Sequence, residues 1–234
     1  MRISSRRAAR IALGVAGGVV VVLGLAQLLL PGLAAQRVRS QIGRYGVVHS
    51  ASVSAFPAIE LLWGHAQSVS VSAGQLNMTP AAANELLWRS RGVGQVDMHA
   101  ASMRVGSFLL RDMVWRKRGD RLFMGGRLTE ADLRAFLPGA TGFALLGGNS
   151  DGVLMRVSGS LFGLTASLDV QLSAVDGKLV AQPQGIPFAG FVKVTLLSAP
   201  HMYVQSFGLT ASPPAGAGVG ADPSYQVSIG ARLR

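Results

Sequence analysis

The chain has no cysteine, which excludes disulfides, thiolate zinc sites and cysteine nucleophiles and leaves any fold to be held by its core alone. Acidic residues are scarce, 11 against 22 lysines and arginines, giving a formal net charge of +11. Such a surface prefers anions. Charged residues make up only 14% of the chain and aromatic residues 6%, while 49% are hydrophobic, more than a soluble core of this length requires, although one N-terminal run inflates that figure.

The usual catalytic constellations are also missing. His49, His65, His99 and His201 lie far apart, with no paired spacing on a helix and no carboxylate cluster beside them. No Gly-x-Ser-x-Gly elbow occurs, and Gly92-x-Gly94 and Gly147-Gly148 lack the spacing and the lysine of a phosphate-binding loop. Glu60 with His65 is the nearest approach to an acid–base pair. Folding could bring together Glu60, Glu85, Asp97, Asp112, Glu130 or Asp132, but nothing in their spacing selects two of them. The expectation is a protein that is not an enzyme and uses neither cofactor nor metal.

At the N-terminus, residues 1–10 carry Arg2, Arg6, Arg7 and Arg10 with no acid, and Ile11 to Leu30 is apolar except for Gln27. At about 1.5 Å per residue that run reaches about 30 Å, the thickness of a bilayer's hydrocarbon core, whereas the apolar part of a secretory signal is about 7–15 residues. The expected organisation is a cytoplasmic tail (1–10), a transmembrane anchor (11–30), a connecting helix (31–46) and an extracytoplasmic domain (47–234) in the periplasm or cell envelope. Cleavage after Ala34 or Ala35 is the competing reading, since Gly32-Leu33-Ala34 offers the small residues a signal peptidase accepts. Without the tail's arginines, 18 basic residues face 11 acidic ones, or +7, and the anions at hand are lipid head groups rather than nucleic acid.

Leu33 to Tyr45 has helical spacing, with Leu33, Val38 and Ile42 apolar, and Gly46 ends it. Beyond it the period becomes two. Strands are expected at Val47–Ala55, Ser68–Ser72, Gln95–Val105, Phe108–Arg116, Arg121–Arg127, Thr165–Ala174, Lys178–Ala181, Phe191–Leu197, Tyr203–Thr210 and Tyr225–Leu233. Arg118-Gly119-Asp120 and Asp176-Gly177 read as hairpin turns. Thr79-Pro80 opens a helix to Ser90, Thr129 and Asp132 resemble a capping box for a short helix to Leu137, and Gly142 to Gly152 reads as a glycine-rich loop. The fold class is α+β, a β-rich, curved antiparallel sheet with a few short helices.

Two groups of residues are candidates for function. Phe56, Leu61, Leu62 and Trp63 around Pro57, with Val69, Val71, Trp88, Phe108, Phe162, Phe188 and Phe191, are either plain core or the lining of a sheet wrapped around an acyl chain. Trp115, Arg116, Lys117, Arg118 and Arg121 cluster at a hairpin tip, which is either a solvated turn or a contact with anionic head groups and a membrane.

The phrase Val53-Ser54-Ala55-Phe56-Pro57-Ala58-Ile59-Glu60-Leu61-Leu62-Trp63-Gly64, followed by the alternating Ser68 to Ser72, resembles the LmeA-like phospholipid-binding family of bacterial envelope proteins. Leu128-Thr129-Glu130-Ala131-Asp132-Leu133, Asp176-Gly177-Lys178-Leu179 and Phe207-Gly208-Leu209 follow in the same order, so the resemblance runs from about Leu33 to Leu233. The helical-looking Thr79 to Ser90 departs from it. The resemblance implies a curved, lipid-cradling domain similar to tubular lipid-binding folds, with phospholipid as partner and a role in assembling envelope lipoglycans such as lipomannan. It carries no catalytic residues, and it maps Phe56, Leu61 and Trp63 onto the family's Phe-Pro phrase as lipid-facing candidates. The competing functions are an envelope adaptor that binds no lipid and an envelope glycan or lipid hydrolase.

Overall fold

The computed structural model describes residues 30–55, 65–106, 108–136, 139–149, 152–161, 164–185, 193–212 and 223–234. The span expected at 11–30 lies outside them except for its last residue, as do residues 213–222, and among the described residues no helix is long and apolar enough to cross a membrane.

Helix α1 (residues 30–43) turns its Val38 and Ile42, one helical turn apart, towards the core, and ends as the Tyr45 N–H donates to the Ile42 carbonyl at 2.9 Å. Strands β1 (Gly46–Ser54) and β2 (Ala66–Met78) pair antiparallel. The next pairing, β2 with β3 (Val93–Val105), is parallel and needs a crossover, which α2 (Pro80–Arg89) and a 3-10 turn over Ser90–Gly92 provide. Thr79 caps α2 by accepting from the Ala82 N–H at 3.2 Å, and Pro80 occupies the first turn, where no N–H is needed.

Strands β4 (Phe108–Arg118) and β5 (Arg121–Thr129) continue as a hairpin turned at Gly119, whose φ of +59° suits glycine. Helix α3 (Glu130–Phe136) follows, capped reciprocally: Thr129 Oγ1 accepts from the Asp132 N–H at 3.2 Å, and Asp132 Oδ2 accepts from the Thr129 N–H at 3.0 Å. A second sheet is built from β6 (Ala140–Asn149), β7 (Gly152–Leu161), β8 (Leu164–Val175), β9 (Lys178–Gln184) and β10 (Val194–Leu197). Strands β11 (Met202–Ser212) and β12 (Ser224–Leu233) return to the first sheet. The sheet orders are β1-β2-β3-β4-β5-β12-β11 and β10-β9-β8-β7-β6.

Gly142 to Gly152 is not a loop. Phe143 and Leu145 pair with Val157 and Met155, and only residues 150 and 151 fall between β6 and β7. Glycine removes side chains without removing backbone donors and acceptors, so a glycine-rich stretch can still fill a ladder; here it does so with register shifts between Ala140 and Gly142 and between Leu145 and Gly147. Strand β7 itself, with Ser158 in its interior, was hidden by the same glycines. The other expected strands and the three expected helices fall on observed elements, the strand expected at Ser68–Ser72 running on to Met78, and Asp176 (φ 50°) with Gly177 (φ 75°) makes the expected two-residue turn.

Asp132 ties α3 to β4 through Arg111, whose Nε and Nη2 donate to it at 3.2 and 3.3 Å. Partial burial opposes the carboxylate's charge, but the hydrogen bonds from Arg111 and Thr129 outweigh it and hold Asp132 below the usual carboxylate range. Its stabilisation is therefore present above the unfolded-state pKa and lost as pH falls through the native one. Asp132→Ala is expected to cost about 1–2 kcal/mol in chemical denaturation at neutral pH, with the difference from wild type shrinking on acidification. Equal stability at neutral pH would contradict this account of the cap.

Candidate functional site

The registers of the first sheet define its faces, because directly paired residues point the same way and neighbours along a strand point oppositely. One row runs Ala51–Val71–Met98–Trp115–Met124–Ile229–Phe207. The row beside it on the opposite face runs Ser52–Ser70–Asp97–Arg116–Phe123–Gly230–Ser206. The first face is apolar and is covered by α1 and α2 through Ile42 and Leu87. The second is mostly polar, with Val114 and Phe123 among its apolar residues, and Phe123 is 44% exposed.

This alternation corrects the expected membrane contact. Arg116, Arg118 and Arg121 are exposed, but Trp115 and Lys117 point to the other face and are 5% and 2% exposed. They belong to the interior. Lys117 stands in the otherwise apolar row Val53–Val69–Val96–Lys117–Leu122–Ala231–Val204. Its Nζ donates to the Val93 carbonyl, while the neighbouring Trp115 Nε1 is buried without a hydrogen-bond partner.

The second sheet is two-faced in the same way. On one side Arg156 and Asp169 pair through two hydrogen bonds at 2.7 and 2.9 Å, Ser158 meets Ser167 at 3.0 Å, and Gln184 donates to Gln171 at 3.2 Å. On the other side the pairs are Leu145–Met155, Met155–Val170, Val157–Leu168, Val153–Leu172 and Val170–Pro183, with no polar side chain among them. Part of this apolar side packs on β11 and β12, where Phe143, Val153 and Met155 meet Leu209, Tyr225 and Val227. The Tyr225 hydroxyl donates to the Phe143 carbonyl at 2.9 Å across that junction, and burial, with Glu130 nearby, raises its pKa.

Among the described residues, the remainder of the apolar side has less cover. Leu168 and Val170 are half-exposed and belong to neither buried cluster, and Val157 and Pro183 beside them are also only half-buried. Strict alternation from Thr165 to Ala174 predicts this strand, but nothing in the sequence distinguishes Leu168 and Val170 from ordinary core. Two open hollows lie on the described surface. One of about 390 Å³ lies between Tyr45, Met78, Pro80 and Gly106, and one of about 290 Å³ lies between Gly152, Ala174 and Phe207.

Of the other expected lining residues, Val71 is buried and Val69 half-buried beneath the helices, and Phe108 is half-buried at the start of β4. Trp88 is not lining: it is 46% exposed at the end of α2, because Leu87 takes the core-facing position. Phe56, Leu61, Leu62, Trp63, Phe162, Phe188 and Phe191, with Glu60, lie outside the described residues. Among the described residues no three His, Asp or Glu side chains come together as a metal site.

Burial lowers the pKa of the Lys117 ammonium, and Asp120 only partly offsets this. Between the depressed native pKa and the unfolded value of about 10.4, the unfolded chain binds more protons, so this group makes stability rise with pH. Lys117→Met, which keeps most of the stem, is expected to flatten that rise relative to wild type in denaturation curves across the alkaline range. Parallel curves would place the Lys117 ammonium in water.

No curated protein matches the chain. Residues 21–203 match the family model for LmeA-like phospholipid-binding proteins, a stretch that includes α1, the parallel crossover, the hairpin with the basic tip and the whole second sheet. The chain belongs to the LmeA-like phospholipid-binding family.

Proposed function

We propose that the protein is a membrane-anchored, extracytoplasmic phospholipid-binding protein that shields acyl chains from water and hands lipid over without bond chemistry, in support of envelope lipid and lipoglycan assembly. The observation that carries this reading is the half-open apolar strip of β7, β8 and β9 around Val157, Leu168 and Val170. A soluble sheet does not leave such a strip in water without cost, and an acyl chain laid along it regains about 0.8 kcal/mol per buried methylene. Family membership supports phospholipid as the occupant.

Phe56, Leu61 and Trp63 of the Phe-Pro phrase are proposed as further acyl contacts, and Arg116, Arg118 and Arg121 as contacts for anionic head groups. The twenty-residue apolar run 11–30 would hold the domain at its membrane. A second reading, an adaptor that binds no lipid, is favoured by one observation: the apolar face of the first sheet is already filled by α1 and α2.

Native mass spectrometry of the protein purified from its host separates the two. Near-stoichiometric phospholipid is expected with wild type and with Ser167→Glu on the polar face, and its loss is expected with Leu168→Glu. A folded, lipid-free wild type, or lipid retained by Leu168→Glu, would favour the adaptor.

A further inference from the structure

One end of the first sheet is closed by backbone contacts from four parts of the chain. The Gly119 N–H donates to the Gly94 carbonyl at 2.9 Å, the Leu233 N–H to the Asp120 carbonyl at 2.8 Å, and the Arg234 N–H to the His201 carbonyl at 3.0 Å. The His201 ring lies 4.4 Å from the Trp88 indole, and the Arg91 guanidinium stands over the same indole at 4.4 Å. Arg234 covers the Tyr203 ring at 4.1 Å. The end of α2, the β4–β5 turn and the last residues of the chain thus form one surface.

Its chemistry is one-sided. Asp120 faces Arg232 at 3.8 Å and Glu85 pairs with Arg89 at 2.7 Å, whereas among the described residues no carboxylate pairs with Arg91, Arg118, Arg121 or Arg234. Two large aromatic side chains stand exposed beside these cations, Trp88 on the helix side and Phe123 on the outer side, cross-strand from Arg116. Indole and phenyl rings flanked by guanidinium groups suit the boundary between head groups and acyl chains: the rings leave water and the cations stay with phosphate.

We propose that this end is a docking face for an anionic bilayer, with Trp88 and Phe123 entering the head-group layer and Arg91, Arg118, Arg121 and Arg234 contacting lipid phosphates. The proposal rests on the reading of the chain as a membrane lipid binder and adds which end meets the bilayer. It also orients the cradle. The Asp176-Gly177 turn between β8 and β9 abuts Tyr203, and the Val204 N–H donates to the Gly177 carbonyl at 2.9 Å, so this turn lies at the docked end, and the strip around Leu168 and Val170 lies farther along β8, beyond the packed Leu172 and Ala174.

Because the chain has no cysteine, Pro200→Cys, exposed beside His201, gives a single site for a nitroxide on the full chain. In nanodiscs of equal parts phosphatidylglycerol and phosphatidylcholine, the label is expected to be accessible to oxygen and shielded from a water-soluble nickel chelate. In phosphatidylcholine alone it is expected in water. Combining Arg91→Gln, Arg118→Gln and Arg121→Gln weakens attachment by roughly a hundredfold, which returns the label to water in the anionic discs as well. These glutamines sit at exposed or half-exposed positions, and unchanged thermal unfolding would exclude misfolding as the cause.

A label in water in both discs, or one equally immersed with and without the three arginines, overturns the proposal. A label shielded only in native membranes would also overturn it, assigning the face to an acidic protein instead. Lipid content measured on the same samples tests the cradle separately, since docking can persist when no lipid is bound and the reverse.

Discussion

Strand alternation is the constraint on which the rest of this structure depends. A β-strand sends successive side chains to opposite faces, so each sheet that buries an apolar face must find something to cover it. The seven-stranded sheet has α1 and α2 over Val71, Met98 and Trp115, and the second sheet over Leu209, Tyr225 and Val227. Among the described residues the five-stranded sheet is covered chiefly by β11 and β12, which pack on the part near Phe143 and Met155 and leave Leu168 and Val170 only partly buried. The imbalance between apolar face and available cover locates the candidate site, and a phospholipid-binding family supplies an occupant that would redress it.

The same alternation separates two kinds of basic residue on one strand. Arg116 and Arg118 look outwards, whereas Lys117 is drawn into an apolar row and spends one donor on the Val93 carbonyl. An ammonium there is held at a cost in hydration, which is why its pKa falls. The arginines gather instead at the sheet's end with Trp88 and Phe123, so charge and exposed aromatic surface concentrate at that end. Interior and docking end thus follow from the period of two applied to one hairpin.

Much of the architecture was legible because it rests on local chemistry. Thr79-Pro80 and Thr129 with Asp132 announce helix starts by supplying acceptors for the first free N–H groups, and Asp176-Gly177 announces a turn by tolerating positive φ. Strand β6 was illegible for the converse reason: its glycines give no side-chain period, and its pairing is fixed by β7. Arg118 and Arg121 could be placed at a tip from sequence, yet the burial of Trp115 and Lys117 needed the register of the whole sheet. The site was least legible. Leu168 and Val170 look like ordinary core residues, and among the described residues only their place outside both buried clusters sets them apart.

The central claim is that acyl chains lie along the open apolar strip of the second sheet. Its most direct test is photo-crosslinking of the full chain with a phospholipid carrying a diazirine in its acyl tail, followed by mapping of the modified peptides. The account predicts adducts on β7 to β9, on the apolar side that includes Val157, Leu168 and Val170. Adducts confined to residues 1–30, with none on those strands, would contradict it.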